Sequence, residues 1–292
     1  MVEKECILYE VKDKNKKLVR CLACSHKCLV SEGDVGICGV RKNVDSKLML
    51  LVYGKMVAVH VDLIEKKPFS DFLPGSRVYS VGSVGCNFSC DFCQNFDISQ
   101  VIKSGDDRIL GQEMSAEDVV EQALSLRCKS IAYTYNEPVI FIEFVRDVAK
   151  LAKSRGLKNV MVSNGYWSRE SFDFIKDYVN AVNIDLKGDS EFYIKYCGGR
   201  VEVVKDLIKW CCEFGIHVEV TTLVIPGMND SIEGLEEIAK FLGGIDKGIV
   251  WHLSRFFPMY KVLDKGVTPV SILERAKEMG EKYLNKVCIG NV

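Results

Sequence analysis

From residue 77 onward, short apolar runs alternate with segments whose apolar residues recur at helical spacing. Val78-Tyr79-Ser80-Val81 predicts a strand. Ser115, with Asp118 three residues on, is a start signal for a helix running to about Arg127. Ser130 to Tyr135 predicts a strand, and Val139 to Arg155 a helix closed by Gly156. Further strands are expected at Asn159 to Val162, Ala181 to Leu186, Ile216 to Ile225 and Ile249 to Leu253. Helices are expected at Glu170 to Tyr178, at Val201 to Phe214 closed by Gly215, at Ile232 to Leu242 and at Val270 to Leu284. A last strand falls at Val287-Cys288-Ile289. Six strand–helix units in a row predict an α/β fold with a parallel sheet and right-handed crossovers. Periodicity alone does not separate an open barrel from a doubly wound sheet.

The first 60 residues read differently. Leu48 to Tyr53 is apolar, Gly54-Lys55 interrupts it, and Met56 to Val59 resumes. This predicts a small cysteine-rich, metal-stapled unit followed by a hairpin. Pro68, Pro74 and Gly75 mark residues 61–76 as a connecting segment, leaving 77–292 as the core.

Composition narrows the function classes. With 48% apolar and 27% charged residues in 292, the chain has ordinary globular content. A net charge of −1 supplies no global field toward nucleic acid or anionic lipid. Lys14, Lys16, Lys17 and Arg20 are interleaved with Glu10 and Asp13, as on a solvated edge. No uncharged apolar run is long enough to span a membrane, and Met1 to Glu5 lacks a signal-peptide core, so a cytoplasmic protein is expected. Among 13 cysteines, Cys21, Cys24, Cys28 and Cys38 form one group and Cys86, Cys90 and Cys93 another. In a reducing compartment such groups point to metal rather than disulfides. The remaining six, Cys197 among them, lie mostly in apolar helices or strands and are expected to be inert buried thiols.

The second group, Gly85-Cys86-Asn87-Phe88-Ser89-Cys90-Asp91-Phe92-Cys93, keeps three thiolates on one short loop after the first core strand. Thiolates hold iron–sulfur clusters, and three on a cubane leave one iron free. Gly82 and Gly85 allow a tight turn, while Phe88 and Phe92 can shield a cluster from water. Structural zinc wants four ligands, and no cysteine or histidine follows within thirty residues. Three close unligated thiols would be an oxidation liability.

This triad and the strand–helix repeats resemble the radical S-adenosylmethionine superfamily. Residues 77–292 resemble the pyruvate formate-lyase activating enzyme group. The stretches Gly85 to Ser99, Tyr133 to Pro138 and His252 to Pro258 are similar to the radical enzymes of the AmmeMemoRadiSam system. The resemblance implies a partial (β/α)6, TIM-like barrel with a 4Fe–4S cluster on Cys86, Cys90 and Cys93. It implies that the free iron chelates S-adenosylmethionine. An electron from a carrier such as a flavodoxin or ferredoxin would then release a 5′-deoxyadenosyl radical that takes hydrogen from a substrate.

The carboxyl ends of barrel strands carry active-site groups, and candidates fall there. Asn136 and Glu137 stand where relatives carry Gly-Gly-Glu-Pro, which meets the cofactor's ammonium; a helix N-terminal carboxylate is the alternative. Ser163-Asn164-Gly165 is similar to the activase Thr-Asn-Gly segment, with Val162 where activases have Asp; a simple polar turn is the alternative. Asp185 and Lys187 share one strand face and match a pair that relatives use on the methionyl and ribose parts. His252 and Ser254 share a face on a strand that contributes to the adenosine pocket; a satisfied core histidine is the alternative. Arg255 could meet an acidic group.

The first cysteine group has C-x2-C-x3-C-x9-C spacing with His26 inside. Four thiolates with turn glycines suit zinc first, an auxiliary iron–sulfur cluster second, and no metal third. The first functional expectation is a radical enzyme acting on an unidentified small molecule or macromolecule. An activating enzyme that generates a glycyl radical on a partner protein comes next, and a non-catalytic metal-binding interaction protein last.

Overall fold

The computed structural model describes residues 4–104 and 109–292. Its centre is an eight-stranded sheet: β1 Ala58–Leu63, β2 Arg77–Gly82, β3 Ser130–Tyr133, β4 Lys158–Ser163, β5 Ala181–Asp185, β6 His217–Val224, β7 Val250–Arg255 and β8 Val287–Gly290. Each strand lies beside its predecessor in sequence. β2 to β8 are parallel, and β1 runs antiparallel against β2. Six helices return the chain between the parallel strands: α1 Ala116–Ser125, α2 Ile142–Ser154, α3 Arg169–Ile175, α4 Val201–Phe214, α5 Ile232–Ile245 and α6 Val270–Gly280. The unbroken order decides between the two architectures left open by periodicity. The winding never reverses, as in a partial barrel.

Local chemistry sets the helix ends. Ser115 and Asp118 bond each other's backbone N–H at 3.0 and 2.8 Å, closing the capping box of α1. Gly215 ends α4 at φ 81°.

Strand alternation divides the core in two. Tyr79, Val81, Ile131, Met161, Val182 and Trp251 belong to the larger core with the helices. Val78, Ala132, Val160 and Ala181 line the concave face with Ile64 and Phe69. Those last two come from the segment between β1 and β2. The expected connecting segment is thus a plug that closes the amino-terminal mouth. Its Ser70 and Asp71 N–H groups donate to Glu219 Oε atoms at 2.9 to 3.1 Å, and the Pro68 carbonyl accepts from Asn183.

The amino-terminal unit holds two three-stranded antiparallel sheets, one with Lys4–Glu5, Lys47–Leu50 and Arg41–Val44, the other with Tyr9–Asp13, Leu18–Cys21 and Leu29–Val30. The hairpin expected between 48–53 and 56–59 does not form. Lys55–Met56 pairs with Gln112–Glu113, and β1 crosses the expected boundary at residue 60 to join the main sheet. A short apolar run specifies a strand but not its partner, and here the partner lies across the plug.

Candidate active site

The triad sits on the loop leaving the carboxyl end of β2. Gly82 and Gly85 are there because nothing larger fits. A Cβ on Gly82 would stand 2.5 Å from the Thr134 carbonyl oxygen. One on Gly85, at φ 89°, would stand 2.6 Å from the Cys38 carbonyl oxygen. Cys86 and Cys93 accept backbone N–H from the residues two places on, Phe88 and Asn95. Phe88 and Phe92 are buried beside them, as a shield requires. Lys103 Nζ donates to the Phe88 carbonyl at 2.7 Å, fixing the loop from below.

Burial pushes the Cys86 and Cys93 thiols up, while contact with the Cys197 thiol and burial do so for Cys90. Only strong cationic ligation would keep three such groups as thiolates. The donor set therefore fits a cluster of irons: three soft ligands on one loop with backbone N–H on two of the sulfurs.

The segment after β3 buttresses this loop. Tyr135 takes φ 73°, the left-handed conformation that a glycine adopts freely. Tyr135 bears that strain at a position where the resemblance implies a glycine. Asn95 Nδ2 donates to the Tyr135 carbonyl at 2.8 Å. Asn136 Nδ2 donates to Ser83 Oγ at 3.0 Å and to the Gly85 carbonyl at 2.9 Å, so its amide holds the triad loop. Its Oδ1 is buried with no partner among the described residues.

Glu137 is 1% exposed and accepts only neutral donors. These are Val139 N at 3.0 Å, Ser163 Oγ at 2.9 and 3.0 Å, Asn164 N at 2.8 Å and Trp167 Nε1 at 3.3 Å. Burial pushes its carboxyl up to about 7 against those hydrogen bonds. A carboxylate so placed lacks a cation, and no side chain among the described residues supplies one. Asn164 reaches the triad from β4, with Nδ2 2.7 Å from Asn87 Oδ1 and 3.8 Å from Cys86 Sγ. The structure thus brings Asn136, Glu137, Ser163 and Asn164 together against Cys86.

Asp185 and Lys187 approach from the other side. Lys187 Nζ donates to Asp185 Oδ2 at 2.8 Å and lies 5.9 Å from the Phe92 ring centre, within the triad loop. Burial opposes the Lys187 charge, but Asp185 and the nearby thiols outweigh it and hold its pKa above the ordinary lysine value. Tyr193 Oη accepts from Lys187 N and donates to the Asp185 carbonyl, bracing the turn. Cys197 closes this side: its carbonyl accepts Ser89 N at 3.0 Å and its thiol touches Cys90. Sequence reasoning assigned Cys197 to the core. It is buried, yet its thiol abuts a triad cysteine across 107 residues of chain, which no local pattern signals.

His252 and Ser254 do not join this constellation. His252 Nε2 lies 2.6 Å from Glu219 Oε2, in the network that holds the plug, and Ser254 Oγ accepts from Asn291. His217, Ser70 and Asp71 also bond Glu219, and these partners outweigh burial to hold its carboxyl well below the ordinary range. His252 thus makes the hydrogen bond of a satisfied core histidine. Arg255 Nε is bonded to the Thr268 carbonyl at 2.8 Å.

A protein of Methanocaldococcus jannaschii named only as uncharacterized, MJ0808, is 40% identical over 99% of this chain and 85% of its own length. The pyruvate formate-lyase-activating enzyme of Clostridium pasteurianum is 24% identical over 59% of this chain and 71% of its own. In three dimensions, Streptococcus suis SuiB bound to S-adenosylmethionine matches with a TM-score of 0.55, at 16% identity, over 71% of this chain and 48% of that one. A radical SAM methyltransferase from Sphaerobacter thermophilus matches at 0.55, with 15% identity, over 75% and 67%. Both share the partial-barrel fold. Residues 80–242, from β2 to α5, match the Radical SAM superfamily, and this protein belongs to it.

Proposed function

We propose that the chain binds a 4Fe–4S cluster through Cys86, Cys90 and Cys93, binds S-adenosylmethionine beside it, and uses the pair to take hydrogen from a substrate. Bound there, cluster and cofactor would supply reductive cleavage of the sulfonium S–C5′ bond, with one electron from an external carrier, methionine as the departing fragment and hydrogen-abstracting chemistry left at C5′. The chain's own residues bind and orient. Glu137, buried without a cation, takes the methionyl ammonium, and the free Oδ1 of Asn136 is a second acceptor. Lys187, on the opposite side of the triad loop, takes a carboxylate or hydroxyl. The single observation that carries this reading is the pairing of a three-cysteine loop with an uncompensated buried carboxylate at one strand mouth.

The test is anaerobic reconstitution followed by dithionite and S-adenosylmethionine. 5′-Deoxyadenosine should accumulate, and a Cys90→Ala protein should make none. Absence of product from a well-loaded cluster would favour a non-catalytic metal-binding role.

A protein substrate is the second reading, with a glycyl-radical partner as its special case. It is favoured by exposed apolar side chains on the segments that follow β5 and β7: Ile194, Leu263 and Phe257 are 70, 68 and 42% exposed. Asp91 in the triad loop bonds both segments, at Tyr196 and Lys261, so they are continuous with the site. The alignment with an activating enzyme agrees with it. A deuterium-labelled glycyl partner would pass label to 5′-deoxyadenosine only under the activase case. The electron would come from a low-potential carrier of the flavodoxin or ferredoxin kind.

A further inference from the structure

Cys21, Cys24, Cys28 and Cys38 arrive from separate strands and turns, yet all four line one cavity, together with Arg41 and Asn87. Cys21, Cys24 and Cys38 each accept the backbone N–H of the residue two places on: Ala23, His26 and Val40. Cys86 and Cys93 show the same arrangement in the triad loop. Such N–H groups aim at a sulfur that carries charge. His26 takes no part, since its Nε2 is spent on the Asn87 carbonyl at 2.9 Å.

Asn87 points independently to a ligand. It is 1% exposed, its Oδ1 is occupied by Asn164, and its Nδ2 is buried with no partner among the described residues. A buried amide donor left over beside four thiols calls for an acceptor. Arg41 is also 1% exposed and lines the cavity, its guanidinium held by Glu143 and the Ile140 carbonyl.

The spacing of the ligands selects among metals. Sulfurs around a single zinc all lie about 2.3 Å from the ion and close over it. Among the described residues, no three cysteine, histidine, aspartate or glutamate side chains gather tightly enough for one ion. The triad itself shares that looser spacing. A cluster, whose irons each take one thiolate, needs the ligands further apart and offers sulfides to an amide donor.

We propose that Cys21, Cys24, Cys28 and Cys38 hold an iron–sulfur cluster, with Asn87 Nδ2 donating to it. It sits directly behind the triad. The Cys38 carbonyl packs on Gly85, and Asn87 adjoins Cys86 while lining the cavity. The proposal stands whether or not the triad reading does.

The test uses the full chain with Cys86, Cys90 and Cys93 all changed to Ala, reconstituted anaerobically with iron and sulfide. Iron and acid-labile sulfide should be retained in equal amounts, about two to four of each per chain, with iron–sulfur absorption. Cys24→Ser with Cys38→Ser, in a chain with the triad intact, should lose this complement alone. About one zinc and no sulfide would overturn the proposal, as would metal-free protein with disulfides among these cysteines. Should the variants misfold by circular dichroism, Mössbauer spectra of the unaltered protein decide. Iron beyond one four-iron cluster supports the site, and a single four-iron cluster beside one zinc refutes it.

Discussion

Glu137→Gln isolates the charge that the proposed mechanism needs while keeping shape. In the ligand-free protein the carboxyl sits near 7 against an ordinary 4.5, a rise caused by burial. The difference is worth about 3 kcal/mol at roughly 1.4 kcal/mol per unit. The sign follows from linkage: between pH 4.5 and 7 the folded state holds a proton that the unfolded state has lost. Stability is thus fullest below 4.5 and declines as pH rises through 7. Gln should remove that slope. For ligand binding the order reverses, because an ammonium needs the ionised form. With the carboxyl pushed up to about 7 by burial in the ligand-free protein, S-adenosylmethionine should bind the cluster-loaded protein more tightly at pH 8 than at pH 6. Losing a charge-assisted bond of about 1.5 to 3 kcal/mol should weaken binding about 10- to 150-fold at pH 8 in Glu137→Gln, with the pH dependence gone. Anaerobic calorimetric titration at both pH values, with denaturation midpoints of the ligand-free proteins alongside, reads all of this. A Gln protein that binds as tightly as the unaltered one at pH 8 would refute the reasoning. So would a pH-independent affinity in the latter.

Further perturbations follow from packing. Gly82→Ala places a methyl 2.5 Å from a backbone oxygen, and Gly85→Ala adds a φ of 89° to a comparable clash; each should cost more than about 2 kcal/mol in denaturation and lower cluster occupancy, whereas Tyr135→Gly, which relieves φ 73°, should stay within about 1 kcal/mol. Arg41→Met leaves Glu143 buried without its cation and should cost about 3 to 5 kcal/mol, while Arg41→Met with Glu143→Leu should recover most of that loss by urea denaturation. Cys197→Ser should leave triad iron unchanged and retain the spectroscopic response to S-adenosylmethionine; a fall in triad iron would mean that Cys197 fills the fourth iron's place.

What the sequence made legible was local. The capping box at Ser115, the glycine stop at 215 and the C-x3-C-x2-C loop are each written within a dozen residues, and the structure carries all three elements. Alternation also placed His252 and Ser254 on one face. It could not say what they would meet there, because the partner comes from the neighbouring strand. Thr221 pairs with both Asp185 and His252 and sets the two level, yet Glu219 of β6 takes the His252 imidazole in a buried bond. The same limit hid Cys197, and hid β1 among four-residue apolar runs that fit several partners. Glu137 was found by position, but its lack of a cation is a tertiary fact, fixed only when Ser163, Asn164 and Trp167 close around it.

The amino-terminal unit is too deeply joined to the site to be a mere cover. Cys24 bridges to Trp167 through backbone pairing, and Ser25 Oγ donates to the Trp167 carbonyl. Trp167 Nε1 in turn donates to Ser163 Oγ at 2.8 Å and to Glu137 at 3.3 Å. On the other flank, the Cys38 carbonyl lies where any side chain on Gly85 would have to go. One cysteine turn therefore braces the carboxylate wall and another braces the triad loop. Lys103 stands within electrostatic reach of Cys38 and of all three triad cysteines. Ligation at the four amino-terminal cysteines would fix both braces at once, because a metal cluster couples its ligands as no single hydrogen bond can. Loss of that ligation should then weaken S-adenosylmethionine binding even though none of the four cysteines touches the ligand. A Cys24→Ser, Cys38→Ser protein with a full triad cluster but unaltered affinity for S-adenosylmethionine would show that the braces are independent of what the cysteines hold.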